Sequence, residues 1–113
     1  MSDAQYKRPE SVLVVIYTPT GEVLLLERLQ PPGYWQSVTG SLRWDEAPEQ
    51  AAQREVVEET GLEAGDLLVD CGYKNRFEIL PAWRARYAPD VHRNTEYVFS
   101  IQLQEPLPVT DCQ

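Results

Sequence analysis

The chain has no apolar run long enough to cross a bilayer, which sets aside helical membrane proteins. Its opening residues, MSDAQYKRPE, lack the apolar core of a secretion signal, so a cytoplasmic protein is expected. Cysteine is scarce: Cys71 and Cys112 are the only two in 113 residues, and they form no paired motif. That argues against a metal knuckle or redox centre, and in a cytosolic chain both are expected as reduced thiols. Histidine is scarcer still. His92 stands alone in a polar stretch and reads as a surface residue rather than a general base. Positive charge is also short, with 10 Lys and Arg against 18 Asp and Glu and a net charge of −8, which argues against nucleic acid as a partner. The acid excess does not exclude a small anion, because divalent ions held by carboxylates invert the local charge and draw phosphates in. There is no repeat, low-complexity tract or linker. Residues 1–113 are expected to form one small domain with a modest core.

What the chain does have is concentrated between Gly40 and Leu62, in GSLRWDEAPEQAAQREVVEETGL. Pro48 near a first turn, helix formers through Gln53 and a terminating Gly61 predict a helix from Pro48 onward. At about 100° per residue, Glu55 and Glu59 fall one turn apart on one face, with Glu58 beside them. Like charges at this spacing repel, and two of them sit in the last turn, where the helix dipole is itself negative. A cationic occupant is therefore expected. Oxygen ligands on an open face suit Mg²⁺, with Mn²⁺ as the second choice, and leave positions for a substrate's phosphates.

Elsewhere, Ser11 to Tyr17 is a β-branched apolar run and Thr18 to Glu22 a turn. Val23 to Leu26 reads as a return strand, and Trp35 to Thr39 as another that ends at Gly40. After the helix, strands are expected at Leu67 to Tyr73, Arg76 to Leu80 and Thr95 to Leu103. Several strands around one strong helix make the fold α+β.

The spacing Gly40, five residues, Glu46, seven residues, then Arg54-Glu55-Val56-Val57-Glu58-Glu59-Thr60-Gly61-Leu62 resembles the signature box of the Nudix hydrolases. Seven fixed residue types at about one chance in fifteen each coincide on the order of once in 10⁸ start positions. The resemblance implies a mixed sheet held between helices, an α/β/α sandwich, and metal-dependent hydrolysis of a diphosphate linkage. It implies that Glu55 and Glu59 are the principal metal ligands. Glu58 would be a further ligand or a base that orients water, and Gly40 would offer its carbonyl to a metal. Arg54 would hold a box glutamate by a salt bridge; read from the residues alone, the alternatives are a plain surface cation for Arg54 and a backbone turn with no room for a side chain for Gly40. Glu46 reads as a box-bracing or dipole-stabilising residue or as a ligand.

The flanks Tyr6-Lys7-Arg8-Pro9, Val14 to Tyr17, Trp35 to Ser41, Arg86 to Pro89 and Arg93 to Glu96 are similar to the bacterial branch of that family that removes pyrophosphate from 7,8-dihydroneopterin triphosphate. A broader action on deoxynucleoside triphosphates such as dATP is the alternative enzyme reading, and a non-catalytic ligand-binding domain is the alternative outside enzymes. The small-molecule triphosphate needs a flat wall for its ring and cations for its phosphates. Trp35, Tyr87, Lys7 and Arg8 are the first candidates, with Arg28, Arg84, Arg86 and Arg93 behind them. Trp35 and Tyr87 read equally as core, and Lys7 and Arg8 as solvated tail.

Relatives of this kind continue into a further acidic segment and a closing helix, whereas this sequence stops at Gln113. It is therefore expected to be C-terminally truncated, with Asp111 either replacing the missing acid or fraying. An uncovered sheet face along Val12 to Tyr17 and Tyr97 to Leu103 would then expose apolar surface and favour self-association.

Overall fold

Alternation within the first β-branched run sets the centre of the fold. In the computed structural model, which describes residues 6–24, 26–27 and 35–104, that run forms strand β1 (Glu10–Tyr17). Val12, Val14 and Ile16 are at most 1% exposed, while the residues between them are half-buried. Strand β4 (Val38–Ser41) pairs antiparallel along one side of β1, and β6 (Arg93–Gln102) runs parallel along the other. Strand β5 (Leu68–Glu78) closes the order β4-β1-β6-β5 as an antiparallel edge. Two short strands, β2 (Leu26–Glu27) and β3 (Trp35–Gln36), pair separately, and only their backbone is described.

Helix α1 (Pro48–Thr60) has the bounds its sequence predicts. Pro48 occupies the first turn, the Ala47 N–H donates to Gln50 Oε1 at 2.9 Å, and Gly61 takes φ 78° while its N–H donates to the Val57 carbonyl. Ala51, Ala52 and Val56 are fully buried and pack with Val12, Val14, Val38, Phe99 and Ile101. The two alanines let the helix lie close to the sheet, and they leave its carboxylates outside that contact. Because β1 and β6 are paired Val12 to Tyr97 and Val14 to Phe99, the helix covers the face that carries these residues. Ser11, Leu13, Val15, Asn94, Glu96 and Val98 share the opposite face.

Three expectations change: Trp35 to Thr39, read as one strand ending at Gly40, divides between β3 and β4, and β4 runs on through Gly40 to Ser41. The stretch read as two strands, Leu67 to Tyr73 and Arg76 to Leu80, is one strand that passes through a register shift between Asp70 and Tyr73. Gly72 takes φ 67° there, and its N–H donates to Asp70 Oδ1 at 2.8 Å, so the glycine makes a bulge rather than a break. Of the return read at Val23 to Leu26, Val23 makes an isolated bridge to Tyr17 and Leu26 begins β2. On the face away from α1, Leu13, Val15 and Val98 are half-buried; the exposed apolar residues of the sheet lie at its β5 edge, Val69 and Tyr73 among them. Asp111 and the other residues beyond 104 lie outside the described residues, as does Arg28. Among the described residues no helix is long and apolar enough to cross a membrane.

Candidate active site

Arg54 organises the acidic end of the molecule. Its Nε and Nη2 each donate to Glu46 at 2.8 Å, Nη1 donates to Glu55 Oε2 at 2.8 Å and to Glu58 Oε1 at 3.4 Å, and Nη2 also reaches the Ser41 carbonyl at 3.1 Å. A planar guanidinium can hold several acceptors in fixed directions at once, which an ammonium cannot. Its side chain is 17% exposed, and those of Glu46 and Glu55 are 10% and 14%. Hydrogen bonds from Arg54 hold the Glu46 carboxyl down to about 2 against the opposing effect of burial, and the Arg43 N–H adds to them. The same partner pushes the Arg54 guanidinium further up. Of the alternatives left open for Glu46 and Arg54, the geometry selects bracing: Glu46 is fully engaged by the arginine and the loop backbone.

Gly40 faces Glu55 across the junction of β4 and α1. A Cβ at Gly40 would collide with the Glu55 carboxyl group, so the strand admits this side chain only because position 40 has none. Glu58 is exposed and also lies 3.9 Å from Arg43, while Glu59 is partly buried on the same helix. Among the described residues no three carboxylates, thiolates or imidazoles are gathered closely enough to enclose a cation. The helix instead presents an open array of carboxylate oxygens oriented by one arginine. Such a donor set fits a hard cation that keeps part of its water and takes further oxygens from a substrate.

On the opposite face of the sheet lies a cleft of about 450 Å³, and the two features meet at β4. Thr39, Gly40 and Ser41 line its edge nearest α1. Ser11, Asn94 and Glu96 form its floor, and Phe77, Trp83 and Tyr87 its aromatic side. Trp83 and Arg86 come from a 3₁₀ turn, Pro81–Arg86, that the sequence pattern did not reveal. The Lys7 N–H donates to the Arg86 carbonyl at 2.8 Å, which ties the start of the described chain to the lining of the cleft. Lys7 Nζ lies 5.9 Å from the centre of the Tyr87 ring. Tyr87 is therefore both core and wall: it lines the cleft, yet it is only 9% exposed, and burial pushes its hydroxyl up.

The substrate residues expected from the sequence therefore divide. Lys7 and Tyr87 are brought together in the cleft, and Arg86 joins them. Arg8 is corrected: its Nη1 donates to the carbonyls of Arg43, Trp44 and Glu46 and its Nε to Glu10, so it pins the loop ahead of α1. Arg93 is exposed at the start of β6 and does not line the cleft. Arg84 turns toward the Pro89 carbonyl and His92. Arg28 and the side chain of Trp35 lie outside the described residues.

Comparison with known proteins gives the chain's family. The chain is 50% identical over 107 residues to a dihydroneopterin triphosphate diphosphatase of Escherichia coli (strain K12), covering 91% of this chain and 71% of that one. It is 44% identical to the enzyme of that name from Haemophilus influenzae, covering 93% and 70%. The solved structure of the E. coli dihydroneopterin triphosphate pyrophosphohydrolase superimposes with a TM-score of 0.81 at 45% identity, over 94% of this chain and 77% of that one. The model of the NUDIX domain matches residues 7–111, and with the box geometry in place the chain belongs to the Nudix family.

Proposed function

We propose that the protein hydrolyses 7,8-dihydroneopterin triphosphate to the monophosphate and pyrophosphate with the help of a divalent cation. The observation that carries this reading is the meeting, at Gly40, of an acidic helix on one side and an aromatic cleft on the other. Identity of 44–50% to the two bacterial diphosphatases supports the choice of substrate. The reaction adds water across the linkage between the α- and β-phosphates; one P–O bond forms, one breaks, and pyrophosphate leaves.

Glu55, Glu58 and Glu59 would hold the cation, preferably Mg²⁺ with Mn²⁺ as substitute, with the Gly40 carbonyl as a further oxygen. A cation bound there supplies neutralisation of phosphate charge and a water acidic enough to react near neutral pH. Arg54 fixes the direction of Glu55 and keeps the helix face from closing on itself. Glu58, exposed, with a long hydrogen bond from Arg54 and Arg43 at 3.9 Å, would orient water or accept its proton. Lys7 and Arg86 stand where a phosphate chain leaving the cleft would pass. Phe77, Trp83 and Tyr87 supply flat surface for the ring.

The test is a hydrolysis assay on dihydroneopterin triphosphate and dATP with the phosphorus products resolved. Pyrophosphate released in one step, only with divalent metal present, is expected. Orthophosphate appearing first, full activity in excess chelator, or a higher kcat/KM for dATP would each overturn the assignment.

A further inference from the structure

The loop 42–47, which carries Glu46 into α1, is held from outside the box by a cation far away in sequence. One terminal nitrogen of Arg8, Nη1, donates to the carbonyls of Arg43 at 2.8 Å, Trp44 at 3.1 Å and Glu46 at 2.9 Å. The loop is wrapped around a single charge. Arg8 is held in its turn, since its Nε donates to Glu10 Oε1 and the other oxygen of Glu10 accepts the Tyr97 hydroxyl at 2.6 Å. Both side chains of the ion pair are largely withdrawn from water, with 19% of Arg8 and 27% of Glu10 exposed. Against the effect of burial, hydrogen bonds from Tyr97 and Arg8 keep the Glu10 carboxyl below its ordinary range, so it is ionised at neutral pH. Two further bonds tie the loop to the same strand and its lead-in: the Leu42 N–H donates to the Glu10 carbonyl at 2.9 Å, and Trp44 Nε1 to the Tyr6 carbonyl at 2.8 Å. The loop is thus anchored on β1 and β6 rather than on the helix it precedes.

We propose that Arg8, Glu10 and Tyr97 are positioning residues that set the direction of Glu55, and with it the hold on a divalent cation, acting through the loop, Glu46 and Arg54. This rests on the reading of the α1 carboxylates as a cation site. Glu55 is a flexible side chain among like charges, and its direction comes from Arg54 Nη1 at 2.8 Å. Arg54 keeps that direction only while Glu46 holds its Nε and Nη2, and Glu46 is placed by the loop that Arg8 gathers. A shift of the loop therefore ends as a shift of a ligand oxygen. The guanidinium matters here beyond its charge, because one rigid fork holds the Glu10 carboxylate and the loop carbonyls at a fixed angle to each other. An ammonium at position 8 keeps the charge and loses that angle. Groups that orient metal ligands without touching the metal typically change affinity or activity by about 10- to 100-fold when altered.

The experiment titrates Mn²⁺ into the full chain, Arg8→Lys and Tyr97→Phe, reading the free ion by electron paramagnetic resonance, with thermal melting in chelator and kcat and KM for dihydroneopterin triphosphate at saturating metal alongside. Ile101→Val, a lost methylene in the core of β6, serves as a variant that destabilises without touching the clamp. Arg8→Lys is expected to weaken Mn²⁺ binding and lower kcat by about tenfold each with KM unchanged, and Tyr97→Phe to do the same by about threefold. Ile101→Val should melt earlier and bind Mn²⁺ as the parent does. Because Arg8 acts through Glu46, Arg8→Lys combined with Glu46→Gln should bind Mn²⁺ no more weakly than the worse of the two single variants. Additive losses in that pair, Mn²⁺ affinity unmoved in both clamp variants, an equal loss in Ile101→Val, or no Mn²⁺ binding by the unmodified chain would each overturn the inference. Should Arg8→Lys fail to fold, Tyr97→Phe, which removes one hydroxyl, decides alone. The two readings separate. Hydrolysis of the pterin triphosphate with Mn²⁺ affinity and kcat unmoved by the variants removes the clamp and keeps the function, whereas weakened, non-additive Mn²⁺ binding without pterin hydrolysis removes the function and keeps the clamp.

Discussion

At the scale of single residues, the site depends on one side chain that is missing and one that is heavily shared. Gly40→Ala adds a methyl group where the Glu55 carboxyl now lies, and Glu55 is the flexible partner, so it will move. The expected result is a loss of kcat of about 10²-fold or more, as small misplacements at reacting centres produce. The melting temperature should fall by only a few degrees, and a variant that keeps full kcat would remove Gly40 from the site. Glu46 gives a pH prediction whose sign follows from its environment. Its folded carboxyl titrates near 2, below the ordinary value of 4.5, so its stabilisation is complete above about pH 4.5 and is lost as pH falls toward 2. The full effect is at most about 3 kcal/mol. Urea unfolding of wild type and Glu46→Gln should show a stability gap that is widest near neutrality and shrinks below pH 4.5. A gap independent of pH would mean that the Arg54 contact is not electrostatic.

Among the elements, α1 carries the proposed chemistry and was the most legible part of the chain. Its limits are set locally, by a proline that suits a first turn and a glycine that accepts φ 78°, so the sequence alone places them. Glu58 and Glu59 break the usual rule for a last turn, which is why, with Glu55, they mark a candidate site. Glu59→Gln preserves shape while removing a ligand charge, and the rate is expected to drop at least about 10²-fold with folding intact. A parallel titration should show weaker Mg²⁺ binding; unchanged binding and rate would place Glu59 outside the metal site. Other features were hidden because their causes lie far away in sequence. Nothing near Arg8 says that it will pin a loop 35 to 38 residues on. The 3₁₀ turn that brings Trp83 and Arg86 to the cleft is too short to show a periodicity. The alternation of Asn94 and Glu96 on one strand face was a signal, yet only the pairing with β1 and β5 shows that this face lines a cleft.

For the whole molecule, β5 is an edge strand among the described residues, with Val69 and Tyr73 exposed, and uncovered edges invite other chains to add a strand. The bulge at Gly72 twists this edge out of a regular ladder. Gly72→Val would force a branched side chain into left-handed backbone, at a cost of about 1–2 kcal/mol, or straighten the strand. Lower stability together with faster light-scattering growth on warming is expected; a variant as stable and soluble as the parent would show that the bulge has no protective part. The two-sided plan has a further consequence. The acidic helix packs on one face of the sheet and the cleft opens on the other, with β1, β4 and β6 contributing alternate residues to both. Substrate choice can therefore drift, or be redesigned, by altering β5, β6 and the 3₁₀ turn while the cutting machinery stays as it is. Under the proposed function, recognition of the ring and cleavage of the phosphate chain are thus able to change separately within one scaffold.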